Sequence, residues 1–243
     1  MISRGRCSFC GETYSASAIG RHLESCDKRR KLDPTLQQKT SGEEENIEKA
    51  TSSSKIVHLV VKGSNGLSMY WMHLDVDSNS TLKQLDAFLR GTWVECCGHL
   101  SQFITDDETT NAYEPDRQYR DRIMNARMGS ALNQSGMEFK YEYDFGTTTS
   151  LDLRVVSIRE AGGNSQQRQK KESVKLLARN DPPEIYCGSC SSKKLATNVC
   201  SECIWDSDKA WVCDDCSKKH KCGEEMLLPV VNSPRVGMCG YTG

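Results

Sequence analysis

The sequence predicts an α+β protein: a central mixed or antiparallel sheet with helices, flanked by an N-terminal zinc finger and a C-terminal double-zinc module. Three observations lead there. Residues 55–180 carry β-branched and aromatic runs of strand length, interrupted by amphipathic helical spacing. Both ends of the chain carry CxxC pairs. Hydrophobic content is 37%, below the roughly 45–50% of an average globular chain. Part of the molecule is therefore held by metal, or is linker, rather than built around a core.

Residues 1–27 form the first predicted unit. Cys7 and Cys10 make a knuckle, and His22 and Cys26 follow one helical turn apart, on one face as ligation requires. Tyr14 and Ile19 supply the apolar contacts between hairpin and helix. The pattern resembles a Cys2HisCys variant of the Cys2His2 zinc finger over about twenty residues. Its early helix offers Ser15, Ser17, Ala18 and Gly20, leaving Arg21 as the one good reader of a base edge. A lone finger of this kind serves protein contacts as readily as DNA.

Residues 28–54 read as a flexible linker. A KRRK run at Lys28–Lys31, an acidic run at Glu43–Glu45 and a serine stretch leave too little apolar surface to offset ordering. The basic run suits either phosphate contact or a solvated helix end.

The central domain is expected over residues 55–182. Ile56–Val61 predicts a strand ending in a Gly63–Gly66 turn, and Met69–Val76 an antiparallel return. A helix follows, with Leu82, Leu85, Phe88 and Leu89 on one face and Ser/Thr/Asn caps before it. Strand, turn, strand, helix is a β-grasp-like beginning. Cys96, Cys97 and His99 lack a CxxC partner, and adjacent side chains diverge, so core cysteines beside a buried Trp93 are expected rather than a metal site. Residues 105–121 read as a surface loop and Ile123–Leu132 as a short helix. Strands at 137–145 and 150–158 follow, then a further one at SVKLLA.

Residues 183–243 hold CGSC, CSEC and CDDC separated by nine residues each, then His220, Cys222 and Cys239. A two-residue gap lets two thiolates reach one tetrahedral ion at about 2.3 Å. Nine candidates serve two sites needing eight. Pairing is open: Cys187/Cys190 join Cys200/Cys203 in a ribbon, or Cys213/Cys216 in a cross-brace. His220 is one helical turn from Cys216, and Cys239 sits between glycines free to bend inward, so both are expected as ligands, with Cys222 the spare thiol. With the finger set, the chain is expected to bind three zinc ions. Thirteen cysteines, no apolar leader and no long apolar span predict a soluble, cytoplasmic protein in a reducing compartment rather than a disulfide framework.

Trp93–Phe103 (WVECCGHLSQF) and Met137–Ile158 (MEFKYEYDFGTTTSLDLRVVSI), anchored on the Tyr143–Gly146 run, resemble the plasmid Orf-three-like domain of bacterial and archaeal proteins, often labelled TnpR passenger proteins. Where many members carry an Asp and an aromatic after that glycine, this chain has Thr147–Thr149. The segment from His220 to Gly243 is similar to the zinc-binding end of an archaeal branch of that family. The resemblance implies an α+β fold and no established activity.

The net charge of −1 conceals segments: eight basic against four acidic residues over 1–40, and eleven against fifteen over 55–162. No long basic stripe exists, so the N-terminal module is the part poised for phosphate. No phosphate loop, nucleophile elbow or His-Glu-x-x-His pair is present. Asp144, Glu142, Glu138 and His99 are the polar residues that could converge centrally. The expected function is a non-enzymatic, zinc-stabilised binding or adaptor protein for nucleic acid, a ribonucleoprotein such as the ribosome, or a protein partner. No membrane and no small-molecule substrate is expected. The alternatives are a mobile-element accessory protein acting on DNA through its finger, and an enzyme using the central domain.

Overall fold

In the computed structural model, which describes residues 3–33, 35–36, 54–105, 117–161, 172–190 and 193–243, eight strands form one sheet in the order β2-β1-β8-β4-β3-β7-β6-β5. The strands are β1 (Arg4–Cys7), β2 (Thr13–Ser15), β3 (Lys55–Gly63), β4 (Trp71–Asp77), β5 (Ser101–Thr105), β6 (Glu138–Tyr143), β7 (Thr149–Glu160) and β8 (Val174–Asn180). Every pairing in this sheet is antiparallel. A β-grasp needs a parallel pair, so the expected β-grasp-like opening is present as a unit but is not continued as that fold.

The β3–β4 hairpin shows how sequence sets register. Its turn places Asn65 and Gly66 at φ values of 54° and 86°, the left-handed region that glycine enters without penalty and asparagine at little cost. Val57, Leu59 and Val61 then align with Val76, Leu74 and Met72, and all six are buried. Slipping the register by one residue would turn this apolar set to the other face.

Helix α3 (Leu82–Leu89) covers that set with Leu82, Leu85 and Leu89. Thr81 and Gln84 form a capping box, the Thr81 backbone N–H donating to Gln84 Oε1 at 2.8 Å. A π-helical turn over Arg90–Val94 follows and drives Trp93 and Val94 fully inside. Phe139, Tyr141 and Tyr143 on β6 and Leu151, Leu153 and Val155 on β7 extend the same core. Helices α4 (Arg117–Asn125) and α5 (Met128–Ala131) stand where one loop and one helix were expected. The acidic run of the linker and most of the loop expected over 105–121 lie outside the described residues.

The N-terminal module is not set apart from the sheet. Strand β1 pairs with β8, and Gly5 explains how closely: a Cβ there would sit 2.3 Å from the Arg179 carbonyl oxygen and 2.7 Å from Trp71 Cη2. Helix α1 (Ile19–Ser25) buries Ile19 and Leu23 against Trp71, Leu177 and Ala178. The expected linker begins instead with helix α2 (Asp27–Leu32), and one member of the basic run turns inward. Arg29 is 2% exposed, donates to the Leu23 carbonyl at 2.9 Å and pairs with Asp75 at 3.0 Å. Arg159 binds the same Asp75 at 2.6 Å and Asp33 at 2.9 Å. Beside this network, His58 Nε2 and His73 Nδ1 lie 2.9 Å apart, both buried. Burial holds both neutral, with pKa values lowered to about 4 for His58 and about 3 for His73.

The C-terminal module has its own sheet, order β10-β9-β11, from β9 (Asn198–Cys200), β10 (Trp211–Val212) and β11 (Leu227–Pro229), with helix α6 (Asp214–Ser217). Val199, Ala210 and Val236 belong to the main core, so this module too packs on the central domain. Trp211 is partly buried against that core, whereas Trp205 is 61% exposed. Among the described residues no helix is long and apolar enough to cross a membrane.

Candidate metal centres

Among the described residues, four groups of Cys and His bring their ligand atoms within 4.8 Å of one another. For thiolates about 2.3 Å from one tetrahedral ion, geometry requires sulfurs about 3.8 Å apart, and somewhat less between sulfur and imidazole nitrogen. Each group can be judged against that.

Cys7, Cys10, His22 and Cys26 form the group expected from the sequence. The knuckle turns at Gly11 (φ 79°), α1 carries His22, and Cys26 follows at the helix end. Cys7 and Cys26 sulfurs stand 4.0 Å apart, and Cys10 Sγ lies 3.3 Å from His22 Nε2. Tyr14 stacks on His22 with centroids 4.0 Å apart, which fixes the ring plane. Burial pushes the Cys7 thiol up to about 11, a penalty that a cation would remove.

The C-terminal module is interleaved. Cys187 and Cys190 meet Cys213 and Cys216, while Cys200 and Cys203 meet His220 and Cys222. Of the two pairings left open by the sequence, this is the cross-brace. Cys190 and Cys213 sulfurs stand 4.0 Å apart and those of Cys203 and Cys222 3.5 Å, and His220 Nε2 lies 3.6 Å from Cys203. Two expectations are corrected here. His220 does not share an ion position with Cys216, because α6 ends at Ser217 and a turn leads to Gly223 at φ 89°. That turn carries both His220 and Cys222 to the second pair, so Cys222 is not the spare. Without a cation the crowded sulfurs oppose one another. Burial acts against the Cys187 thiolate, but the backbone of Cys213 and Ser189 overrides it and lowers its pKa to about 6; burial and the neighbouring thiols push Cys216 up to about 12.

The thiol left over is Cys239, expected in the C-terminal module. It lies instead across the central domain, at φ 47°, with Cys96, Cys97 and His99. Cys97 Sγ is 3.7 Å from both Cys96 Sγ and Cys239 Sγ, and His99 Nε2 is 3.2 Å from Cys239 Sγ. The expectation of plain core cysteines fails: Trp93 is buried, but Cys96 is half-buried and Cys97 exposed. The adjacent pair converges because the turn at Gly98 (φ 80°) is drawn tight, its N–H donating to Glu95 Oε1 at 2.6 Å. Sequence contained one clue: an odd ligand at the C-terminal end and three orphan donors in CCGH make a set of four.

Around this group lies a polar frame. Arg235, fully buried, donates to Asp144 Oδ2 at 2.7 Å, Thr149 Oγ1 at 2.9 Å, the Thr147 carbonyl at 3.1 Å and Cys96 Sγ at 3.3 Å. Asp144 Oδ1 faces His99 Nδ1 at 3.5 Å, and the Tyr143 hydroxyl donates to Glu95 at 2.8 Å. Although burial opposes it, the Arg235 hydrogen bond holds the Asp144 carboxyl below the usual range. Asp144 and His99 thus do converge, whereas Glu138 and Glu142 lie on the opposite face of β6 from the core and from this group.

Comparison with known proteins adds three findings. The family model for plasmid pRiA4b ORF-3-like protein matches residues 55–195. Among solved structures, the chain is similar to a protein of unknown function from Methanosarcina mazei Go1, at TM-score 0.37 and 19% identity, over 46% of this chain and 66% of that one. The match thus spans just under two thirds of that protein's length. Comparison with curated proteins finds no match.

Proposed function

The chain belongs to the plasmid pRiA4b ORF-3-like protein family, and from that premise we propose that it is a non-enzymatic binding protein whose end modules are held by zinc. The observation that carries this reading is the closure of three ligand sets. Cys7/Cys10/His22/Cys26, Cys187/Cys190/Cys213/Cys216 and Cys200/Cys203/His220/Cys222 each supply four protein donors. A catalytic zinc keeps a position for water, whereas four Cys and His donors fill the tetrahedron. The donor chemistry, thiolates with imidazole, suits zinc among the common divalent ions. In this reading three zinc ions serve the modules, as the ligand count from sequence requires.

The partner we favour is nucleic acid, free or within a ribonucleoprotein. Arg4, Arg6, Arg21, Lys28 and Lys31 are all exposed on the finger and helix α2, within residues 1–40, where the chain's main basic excess lies, most of it in the Lys28–Lys31 run. Zinc-loaded full-length protein purified at low salt is expected to carry nucleic acid that moderate salt removes, with a salt slope reduced by Arg21→Ala plus Lys28→Ala. Salt-resistant capture of a protein after nuclease treatment would overturn the nucleic-acid assignment in favour of a protein partner.

A further inference from the structure

We propose that Cys96, Cys97, His99 and Cys239 form a fourth metal site, for a divalent ion of the zinc class, which clasps the C-terminal segment to the central domain and exchanges its ion more readily than the other three. It is independent of the binding function above.

Four features converge on it. First, donors from two segments far apart in sequence meet with sulfur separations of 3.7 Å, the spacing a tetrahedral thiolate site needs. Second, His99 is oriented as a ligand. Its Nε2 faces the sulfurs of Cys97 and Cys239, at 2.9 and 3.2 Å, while its Nδ1 faces Asp144 at 3.5 Å. A carboxylate behind a histidine in this way fixes the tautomer and raises its basicity toward a metal. Third, Arg235 is 0% exposed and sets its guanidinium against one carboxylate and one sulfur. A buried cation calls for anionic neighbours, and a metal-bound Cys96 thiolate supplies the second where a neutral thiol does not. Fourth, Asp144 and Cys239 both occupy the left-handed region, at φ 65° and 47°, a cost accepted where the surrounding structure demands it.

The exchangeable character follows from burial. Each of the other groups contains at least one buried sulfur, whereas here none of the four donors is buried, and Cys97 and Cys239 are exposed. Water and a competing chelator therefore reach this ion first. Cys239 is the sole donor beyond residue 99, so loss of the ion frees the C-terminal segment from its metal tie.

The test uses reduced full-length protein reconstituted with zinc, desalted, and assayed for metal per chain and for release to a chromogenic chelator. Four zinc ions are expected, one leaving in a separate fast phase. Cys239→Ser should hold three and lack that phase. Cys97→Ser, altered at an exposed side chain outside the hydrophobic core, should do the same. Equal metal content in wild type and both variants overturns the site. A fast phase that survives in Cys97→Ser overturns its identification as the exchangeable one. A wild-type count of three sinks the fourth site while leaving the three module zincs standing; a count below three sinks those as well.

Discussion

Asp75 holds two guanidinium groups, and its removal tests how the N-terminal module is attached. Its carboxylate lies 3.0 Å from Arg29 and 2.6 Å from Arg159, which are 2% and 14% exposed at the side chain. Deleting one partner of a buried pair leaves a charge in a medium that cannot solvate it, at a cost of about 3–5 kcal/mol. Asp75→Ala is expected to destabilise by that order in urea unfolding of the zinc-loaded protein. Arg29→Met, which leaves Asp75 paired with Arg159, should cost clearly less; equal losses would argue against a shared carboxylate. None of this was legible in sequence. Arg29 stands in a run of four basic residues, and composition gives all four the same solvated reading. What singles it out is Asp75 on a strand far along the chain.

At the scale of elements, the interleaving of the C-terminal ligands would make the two zinc ions proposed for that module interdependent. Cys187/Cys190 and Cys213/Cys216 bracket Cys200/Cys203 in sequence, so either ion closes a loop that contains ligands of the other. Binding of structural zinc amounts to roughly 10–16 kcal/mol of folding free energy in finger peptides. Cys187→Ser and Cys200→Ser should therefore each lose both ions of the module, with circular dichroism and metal analysis agreeing. Loss of one ion alone in both variants would indicate independent sites. Periodicity made the main strands and α3 legible, because their apolar residues repeat every two or every three to four positions. CxxC spacing made the knuckles legible for the same reason: the signal is local. Pairing between knuckles was not. It depends on where a turn breaks α6, and a helix continued past Ser217 would have carried His220 to Cys216 instead.

For the molecule as a whole, the seam between the N-terminal module and the sheet carries a built-in acid sensitivity. Burial lowers His58 and His73 to about 4 and about 3, well under the ordinary value near 6.5. Unfolded histidines take up protons as pH falls through 6.5, and the folded pair does not. Stability is thus complete above that value and declines as pH falls toward 4, by at most about 1.4 kcal/mol per pH unit for each histidine. Unfolding free energy measured from pH 7.5 to 5.5 should fall accordingly, and the slope should flatten in His58→Gln with His73→Gln. An unchanged slope would mean that the pair is not buried at this seam. The same seam has a consequence in time. Gly5 pairs with Asn180, so during synthesis the β1–β2 hairpin finds its neighbour strand only when β8, far along the chain, has been made. At about 5–20 residues per second that wait is on the order of ten seconds. Cys7, Cys10, His22 and Cys26 are all close in sequence, and they can close on an ion at once. If zinc is its ion, as proposed, the finger closes on its metal well before it acquires its place, and a nascent chain starved of zinc would reach β8 without a metal-closed hairpin to add.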